Sequence, residues 1–551
     1  MRGPGPGVLA ALLVAVLAAH VIVVPSTKVE ESFTLQAVHD IWTLGVGPEA
    51  LSQYDHVTFP GAVPRSFVGP LVLAIVTWPA AALSYVTGDS VLAQTGLRIG
   101  LAACTAGALV MWAYAVFPVQ RTPRWLLVLL SACQFHLPFW AGRTTPNGVA
   151  LPLVLIALAL VVRGRRMYVG LALLAATATV LRLELLGLAI PCYLAAWLGV
   201  GRPLVHLVPL GLAACAVGVA LSTCVDSYFW QRPWLWPEGD AVLFNVVEGH
   251  SAEWGVAPWH MYLTQALPRL LAAALPMAAL GAASFRDRST ALLVWMAGVH
   301  VALLSVLPHK EWRFILYTIP LWNALAARGL HRCLAYRGGT LVVAGVLAIS
   351  VAQCVLSLAA SALNYPGGAA LALLHERARG TVHVHIDTLS ATTGVSLLQS
   401  THLARPHTSW VPSQAPDWVY NKTESPTLDL CPFTHMLTER ACPPAFRDMA
   451  APVQALARIQ LLRPADYLRA LRTAGQRTWL PVRLVTADAI HGIGGRPARL
   501  RRKRMLHEFA LVRLNGQDPV LDRVFDKEAM HGDCARLPKA VDSVDRLFLA
   551  A

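Results

Sequence analysis

The stretch on which the reading of this chain turns is Lys28–Pro70, KVEESFTLQAVHDIWTLGVGPEALSQYDHVTFPGAVPRSFVGP. Its first half carries Glu30, Glu31, Asp40 and Glu49, and the cluster Tyr54-Asp55-His56 follows. An apolar run, 8–24, precedes it directly. A carboxylate-rich stretch pinned between apolar runs is where chemistry on a hydrophilic substrate can take place.

Working outward, the rest of the chain is apolar. Of 551 residues, 56% are hydrophobic and 14% charged, against roughly a quarter charged in a soluble domain. Mean hydropathy is +0.52. These values mark a polytopic α-helical membrane protein. The net charge of +14 does not point to nucleic acid, because Arg and Lys fall in short loops between apolar runs, as in cytoplasmic loops. Ten cysteines are scattered without paired ligand spacing, so no metal site is expected. Cys104, Cys133, Cys192 and Cys215 lie inside apolar runs and read as small hydrophobes.

The run 8–24 reads as a retained first span. Further spans are expected near 67–87, 97–118, 125–141, 147–162, 167–181, 186–200, 203–225, 261–284, 290–307, 313–329 and 339–362. Several fall short of the ~20 residues a helix needs to cross the bilayer. Basic loops at 120–124, 163–166, 286–288 and 328–337 are assigned to the cytosol. Arg143–Asn147, the loop 226–260 and Pro308–Arg313 then fall on the opposite side, with the loop after the first span, 25–66. One parity conflict results. Either 67–87 is re-entrant or peripheral rather than a single crossing, or the charge rule fails early in the chain. The loop 226–260 holds five of the seventeen Trp residues and reads as an interfacial element, an anchor or a shield for a site.

Residues 1–362 therefore form a multi-span domain, and 363–551, which lack a spanning run, a small α/β domain. Thr381–Val395 alternates like a half-buried strand before turning polar. Asn421-Lys422-Thr423 is an N-glycosylation sequon. Cys431 and Cys442 either pair in an oxidising lumen or remain free thiols. The basic run Arg496–Arg504 reads as a solvated loop near lipid headgroups.

Four polar sites carry candidate chemistry. Glu30 and Glu31 can supply a general base, or simply favour the positive end of a helix. Pro308-His309-Lys310-Glu311-Trp312-Arg313-Phe314 sits between two apolar runs. Charges at such a depth need partners or a ligand, and Lys310 and Arg313 suit a phosphate, with Glu311 holding one of them. The break Arg143-Thr144-Thr145-Pro146-Asn147 offers another cation, or only a turn. Arg182 and Glu184 lie within LRLELLG. Two apart on a helix, they point away from each other and should find other partners.

KVEESFTLQAVHD, YDHVTFPGAVPRSFVGPL, the RTTPN break and the HKEWRF loop together resemble the dolichyl-phosphate-mannose-dependent mannosyltransferases of C-type glycosyltransferase (GT-C) fold. The likeness runs from about residue 20 to 330 and more loosely over 380–420. HKE-x-RF is a motif of that family. The first loop is most similar to its endoplasmic-reticulum α-1,6 branch. The resemblance implies dolichyl-phosphate mannose as donor, a Man7GlcNAc2 oligosaccharide on dolichyl pyrophosphate as acceptor, and a lumenal active site in the endoplasmic-reticulum membrane. It implies no cofactor. Relatives use an acidic pair in the first lumenal loop, which matches Glu30 and Glu31, with Glu30 at the position of the base. His309, Lys310, Arg313 and Arg143 are the candidate donor-phosphate ligands, and Tyr54, Asp55 and His56 the candidate acceptor contacts. Two other readings stand beside it: a sister transferase acting on another lipid-linked or glycolipid-anchor acceptor, and a secondary transporter, for which no paired repeat is seen.

Overall fold

In the computed structural model of the chain, the described residues are 5–283, 287–401, 418–424 and 432–438, with short strands beyond. The chain divides into two compact units. One comprises Met1–Val23, Phe33–Leu83 and Leu92–Val355; the other comprises Val24–Ser32, Ser84–Val91 and Leu356–Ala551. The boundary thus falls at 356 rather than 363, and the segment bearing Glu30 and Glu31 counts with the second unit.

Among the described residues, six helices are long and apolar enough to cross a membrane: Pro6–Val23, Ser90–Val116, Pro146–Arg163, Leu204–Phe229, Arg288–Ser305 and Gly339–Ala362. Over an apolar window of 18 residues, 61% of Pro146–Arg163 is buried within the protein, against only 11% of Leu204–Phe229. An apolar helix with that little cover needs a second apolar medium, which lipid supplies. The chain is a polytopic helical membrane protein.

Other expected spans are broken. The run 67–87 forms Val68–Val76 and Trp78–Thr87, bent by 61° at Thr77, so it is not one straight crossing. The run 261–284 is corrected similarly. Tyr262–Leu271 and Ala274–Ala282 meet at 109°, with Ala272 at φ 43°. Pro276 explains the break, since its ring excludes a helical carbonyl at Ala272 and it has no N–H to donate there. The run 125–141 splits into Arg121–Cys133 and His136–Ala141. Pro138 forbids a helical bond to the carbonyl of Gln134 in the same way, and the Gln134 side chain pairs instead with Asn323, at 2.8 and 3.0 Å. The span expected at 313–329 begins only at Ile319, after a 3₁₀ stretch Trp312–Thr318. Pro320, one residue inside, suits a helix start.

Small residues set the closest packing. Helices Ala274–Ala282 and Ile319–Cys333 approach at Gly281 and Gly329, where an added Cβ would lie 1.8 Å from the Leu325 carbonyl oxygen or 2.1 Å from that of Met277. Glycine at such a crossing allows backbone-to-backbone contact.

The second unit is an α/β layer, as the alternation at 381–395 predicts. Its strands are β1 (Val382–Ile386), β2 (Trp418–Asn421), β3 (His435–Thr438), β4 (Arg447–Asp448), β5 (Ala457–Leu461), β6 (Val482–Thr486) and β7 (Arg523–Asp526). One sheet runs β2-β1-β3-β7-β4, and β5 and β6 pair separately. β1 is parallel to both its neighbours, with Val384 opposite Tyr420 and His435. Parallel strands need covering faces. Helix Pro366–Arg377 supplies one, packing Ala370, Leu371 and Leu374 with Val382, Val384 and Ile386. Asn421 ends the edge strand β2, and its side-chain oxygen accepts from the Thr423 N–H at 2.8 Å. Cys431, Cys442 and Arg496–Arg504 lie outside the described residues.

Candidate active site

The carboxylate pair opens helix Val29–Thr43. The two glutamates are not equivalent. Glu31 is 1% exposed, and its carboxylate accepts the Lys28 backbone N–H at 3.1 Å. This is the return bond of a capping box, closing the helix start from its third residue. Glu30 is partly exposed. Within the same unit, Lys28 forms an antiparallel bridge with Thr393. Beside it, a Cβ at Gly394 (φ +120°) would come 2.8 Å from Gly368 N and 3.2 Å from the Ser26 side chain. The segment carrying the pair is therefore tied to the C-terminal α/β unit.

The expected acceptor contacts lie elsewhere, in the first unit, and the fold uses two of them for packing. Tyr54 is fully buried with Ala37, Leu51, Phe67 and Phe229, and its hydroxyl donates to the Gly45 carbonyl at 2.6 Å. Burial and the Asp40 carboxylate hold that phenol well above its ordinary range. His56 is 6% exposed. Its Nε2 lies 3.0 Å from the Phe229 carbonyl and its ring meets Trp230 at 4.6 Å. Both side chains are spent on the core rather than on a free surface. Asp55 is half-buried. Its N–H donates to Asp40 at 2.8 Å, and Asp40 also bonds His39.

The HKEWRF segment is organised around Glu311. One carboxylate oxygen lies 3.2 Å from His309 Nε2, and the other accepts Arg313 Nε at 2.7 Å. Burial alone would raise the Glu311 carboxyl, but the bonds from His309 and Arg313 hold it down at about 2. The Glu311 bond in turn raises His309 above its ordinary value. The other ring nitrogen of His309 meets the Gly255 carbonyl at 3.0 Å. Glu311 thus positions both His309 and Arg313, one more than expected. Lys310 is 8% exposed, and its ammonium donates to the carbonyls of Ala257 (3.1 Å) and Leu307. Arg143 is 1% exposed and stacks over Phe139 at 4.2 Å. The RTTPN break is a helix start: Thr145 accepts the Gly148 N–H at 3.2 Å, and Pro146 takes the first turn.

Arg182 and Glu184 correct an expectation. They pair directly, at 2.9 Å. Arg182 is extended (φ −159°) and Leu183–Leu185 is a 3₁₀ turn, so the helical spacing rule does not apply. Asn147 Nδ2 also donates to Glu184, at 2.6 Å, and lies 3.2 Å from the Tyr317 hydroxyl. Arg182 faces Phe314 of the HKEWRF segment at 5.6 Å. Tyr262 donates its hydroxyl to the Glu311 carbonyl at 3.1 Å.

Two members of this cluster have no local sequence signal. Glu238, from the Trp-rich loop, accepts the Leu183 N–H at 2.8 Å; burial pushes its carboxyl up to about 7 against the pull of Arg182. Arg65, just ahead of helix Val68–Val76, interacts electrostatically with Arg182, Glu238, Arg313 and Glu311. Six chain segments so far apart in sequence converge only in the fold.

A model of the Alg9-like mannosyltransferase family matches residues 8–397. The chain belongs to that family. A relative from Drosophila melanogaster, named Dol-P-Man:Man(7)GlcNAc(2)-PP-Dol alpha-1,6-mannosyltransferase, is 35% identical over 78% of this chain. The match spans 62% of that relative's own length. A Saccharomyces cerevisiae relative of the same name is 32% identical over 78% of this chain and 86% of its own. Among solved structures, apo ArnT from Cupriavidus metallidurans aligns over 72% of this chain and 84% of its own at 15% identity, TM-score 0.46.

Proposed function

We propose that this chain is an inverting mannosyltransferase of the GT-C architecture. It moves mannose from dolichyl-phosphate mannose to Man7GlcNAc2 on dolichyl pyrophosphate, in α-1,6 linkage. The observation that carries the reading is the 31–35% identity, over 70–78% of this chain, to relatives from four organisms named for that transfer, one as a probable case. Family membership and the spanning helices support a site in the endoplasmic-reticulum membrane that opens to the lumen, where both lipid-linked substrates are held.

The donor mannose is β-linked and the product α-linked, so a single displacement inverts the anomeric carbon. It needs a base for the acceptor hydroxyl and a way to meet charge growing on the leaving phosphate. Glu30 takes the first role: it is partly exposed, whereas Glu31 is committed to the helix start. Arg313 takes the second, with His309 as a further donor, both aligned by Glu311. Lys310 shapes that loop through its carbonyl bonds, and Arg143 stacks on Phe139. Asp55 is retained as an acceptor contact. Protein cations rather than a metal meet the leaving group, so a chelator leaves the rate unchanged; a loss restored by a divalent ion overturns this point. The test of the whole reading is formation of Man8 product by the purified chain from defined lipid-linked substrates.

A further inference from the structure

Arg65 stands apart from the other arginines of its cluster. Arg182 is bonded to Glu184 and Arg313 to Glu311. Among the described residues, no hydrogen bond or ion pair engages the Arg65 guanidinium, although Glu238 and Glu311 are within electrostatic reach. Its backbone is fixed: the Trp230 indole donates to the Arg65 carbonyl at 3.0 Å, and two residues on the Phe67 N–H donates to Asp226 at 2.6 Å. The backbone that carries the side chain is anchored while its donors stay uncommitted.

We propose that Arg65 is a ligand for the phosphate of the lipid-borne sugar donor, completing with Arg313 a two-guanidinium clamp in which Arg182 positions Phe314. This rests on the transferase reading above. A guanidinium presents five donors in a planar fork that fits a phosphate. Arg182 and Arg313 each already bond a carboxylate, so of the three guanidiniums Arg65 is the one with all its donors left for a phosphate. Burial, and then the nearby Arg182, lower the Arg65 guanidinium to about 10, against the opposing pull of Glu238 and Glu311. Glu238 compensates poorly, since burial favours its neutral form. The source of the phosphate is lipid. The loop that supplies Trp230 and Glu238 also exposes Trp234 at 88% and Trp259 at 68%, as an interfacial element does.

The test uses the purified full chain and the variants Arg65→Ala and Arg65→Lys. Steady-state transfer is measured at varied donor with saturating acceptor, then the reverse. Arg65→Ala is expected to raise the donor KM at least tenfold and leave the acceptor KM within twofold, with Arg65→Lys intermediate. Thermal protection by dolichyl phosphate is read in parallel, against inorganic phosphate and phosphatidylglycerol vesicles. Dolichyl phosphate should protect the wild type, protect Arg65→Lys less, and fail to protect Arg65→Ala. A donor KM within twofold of wild type in Arg65→Ala overturns the proposal. So does equal dolichyl-phosphate protection of wild type and Arg65→Lys, which decides the matter if the alanine variant does not fold. Protection by inorganic phosphate or phosphatidylglycerol as strong as by dolichyl phosphate overturns the lipid-phosphate assignment. A wild type that binds dolichyl phosphate through Arg65 but forms no Man8 product refutes the transferase reading and leaves the ligand standing.

Discussion

Lys28 and Thr393, 365 positions apart in sequence, pair as an antiparallel bridge. The C-terminal unit thereby holds the segment on which Glu30 and Glu31 stand. Gly394, next to the bridge, has φ +120° and no room for a side chain. Gly394→Ala should strain the turn and shift the carboxylates. The expected outcome is a fall of tenfold or more in kcat at a donor KM within twofold of wild type. Wild-type kcat with an unchanged melting temperature would detach the C-terminal unit from catalysis.

The two glutamates should separate cleanly. Glu30→Gln removes the base and should cost roughly 10²–10⁴-fold in rate with little change in melting temperature. Glu31→Gln weakens the cap and should cost about 1 kcal/mol of stability, leaving most of the activity. Rate and thermal unfolding measured on both variants decide it. The opposite pattern would exchange the roles.

The ring of His309, Glu311 and Arg313 carries a pH signature. His309 is raised above its unfolded value, so its bond to Glu311 stabilises fully below that value and is lost as pH rises through the folded one. Glu311, held at about 2, contributes above its unfolded value and loses that only on strong acidification. Of these three groups, only His309 changes charge in the window from its ordinary value up through its raised folded one. The melting temperature of wild type should therefore fall relative to His309→Gln as pH rises through this window. Parallel curves would remove His309 from the ring.

The crossing of Gly281 and Gly329 tolerates no Cβ without backbone movement. Gly281→Ala should destabilise by about 1–3 kcal/mol, read as a lower melting temperature in detergent. An unchanged value would mean that the helices separate freely.

What the sequence made legible follows from physics that acts locally. Long apolar runs announce spans, and Gly339–Ala362 is found where hydropathy puts it. The alternating stretch at 381–395 is likewise visible as β1. The break at Thr77 is marked only by Pro79, one residue inside helix Trp78–Thr87, and those at Ala272 and Gln134 only by prolines four residues on. The HKEWRF and KVEE segments each stand out because charge at a membrane edge is costly. Tyr54 and His56 look available because polar residue types in a short loop do, whereas the carbonyls of Gly45 and Phe229 take up the Tyr54 hydroxyl and His56 Nε2. The Arg182–Glu184 pair was hidden by the assumption of a helix. Arg65 and Glu238 belong to separate loops, and nothing short of the fold brings them together.

The central claim is tested most directly by one comparison: purified wild type and Glu30→Gln, each given dolichyl-phosphate mannose and a Man7GlcNAc2 acceptor on dolichyl pyrophosphate. The account predicts an α-1,6-linked Man8 product from wild type and next to none from the variant. No product from well-folded wild type would contradict the acceptor assignment, and equal product from both would contradict Glu30 as the base.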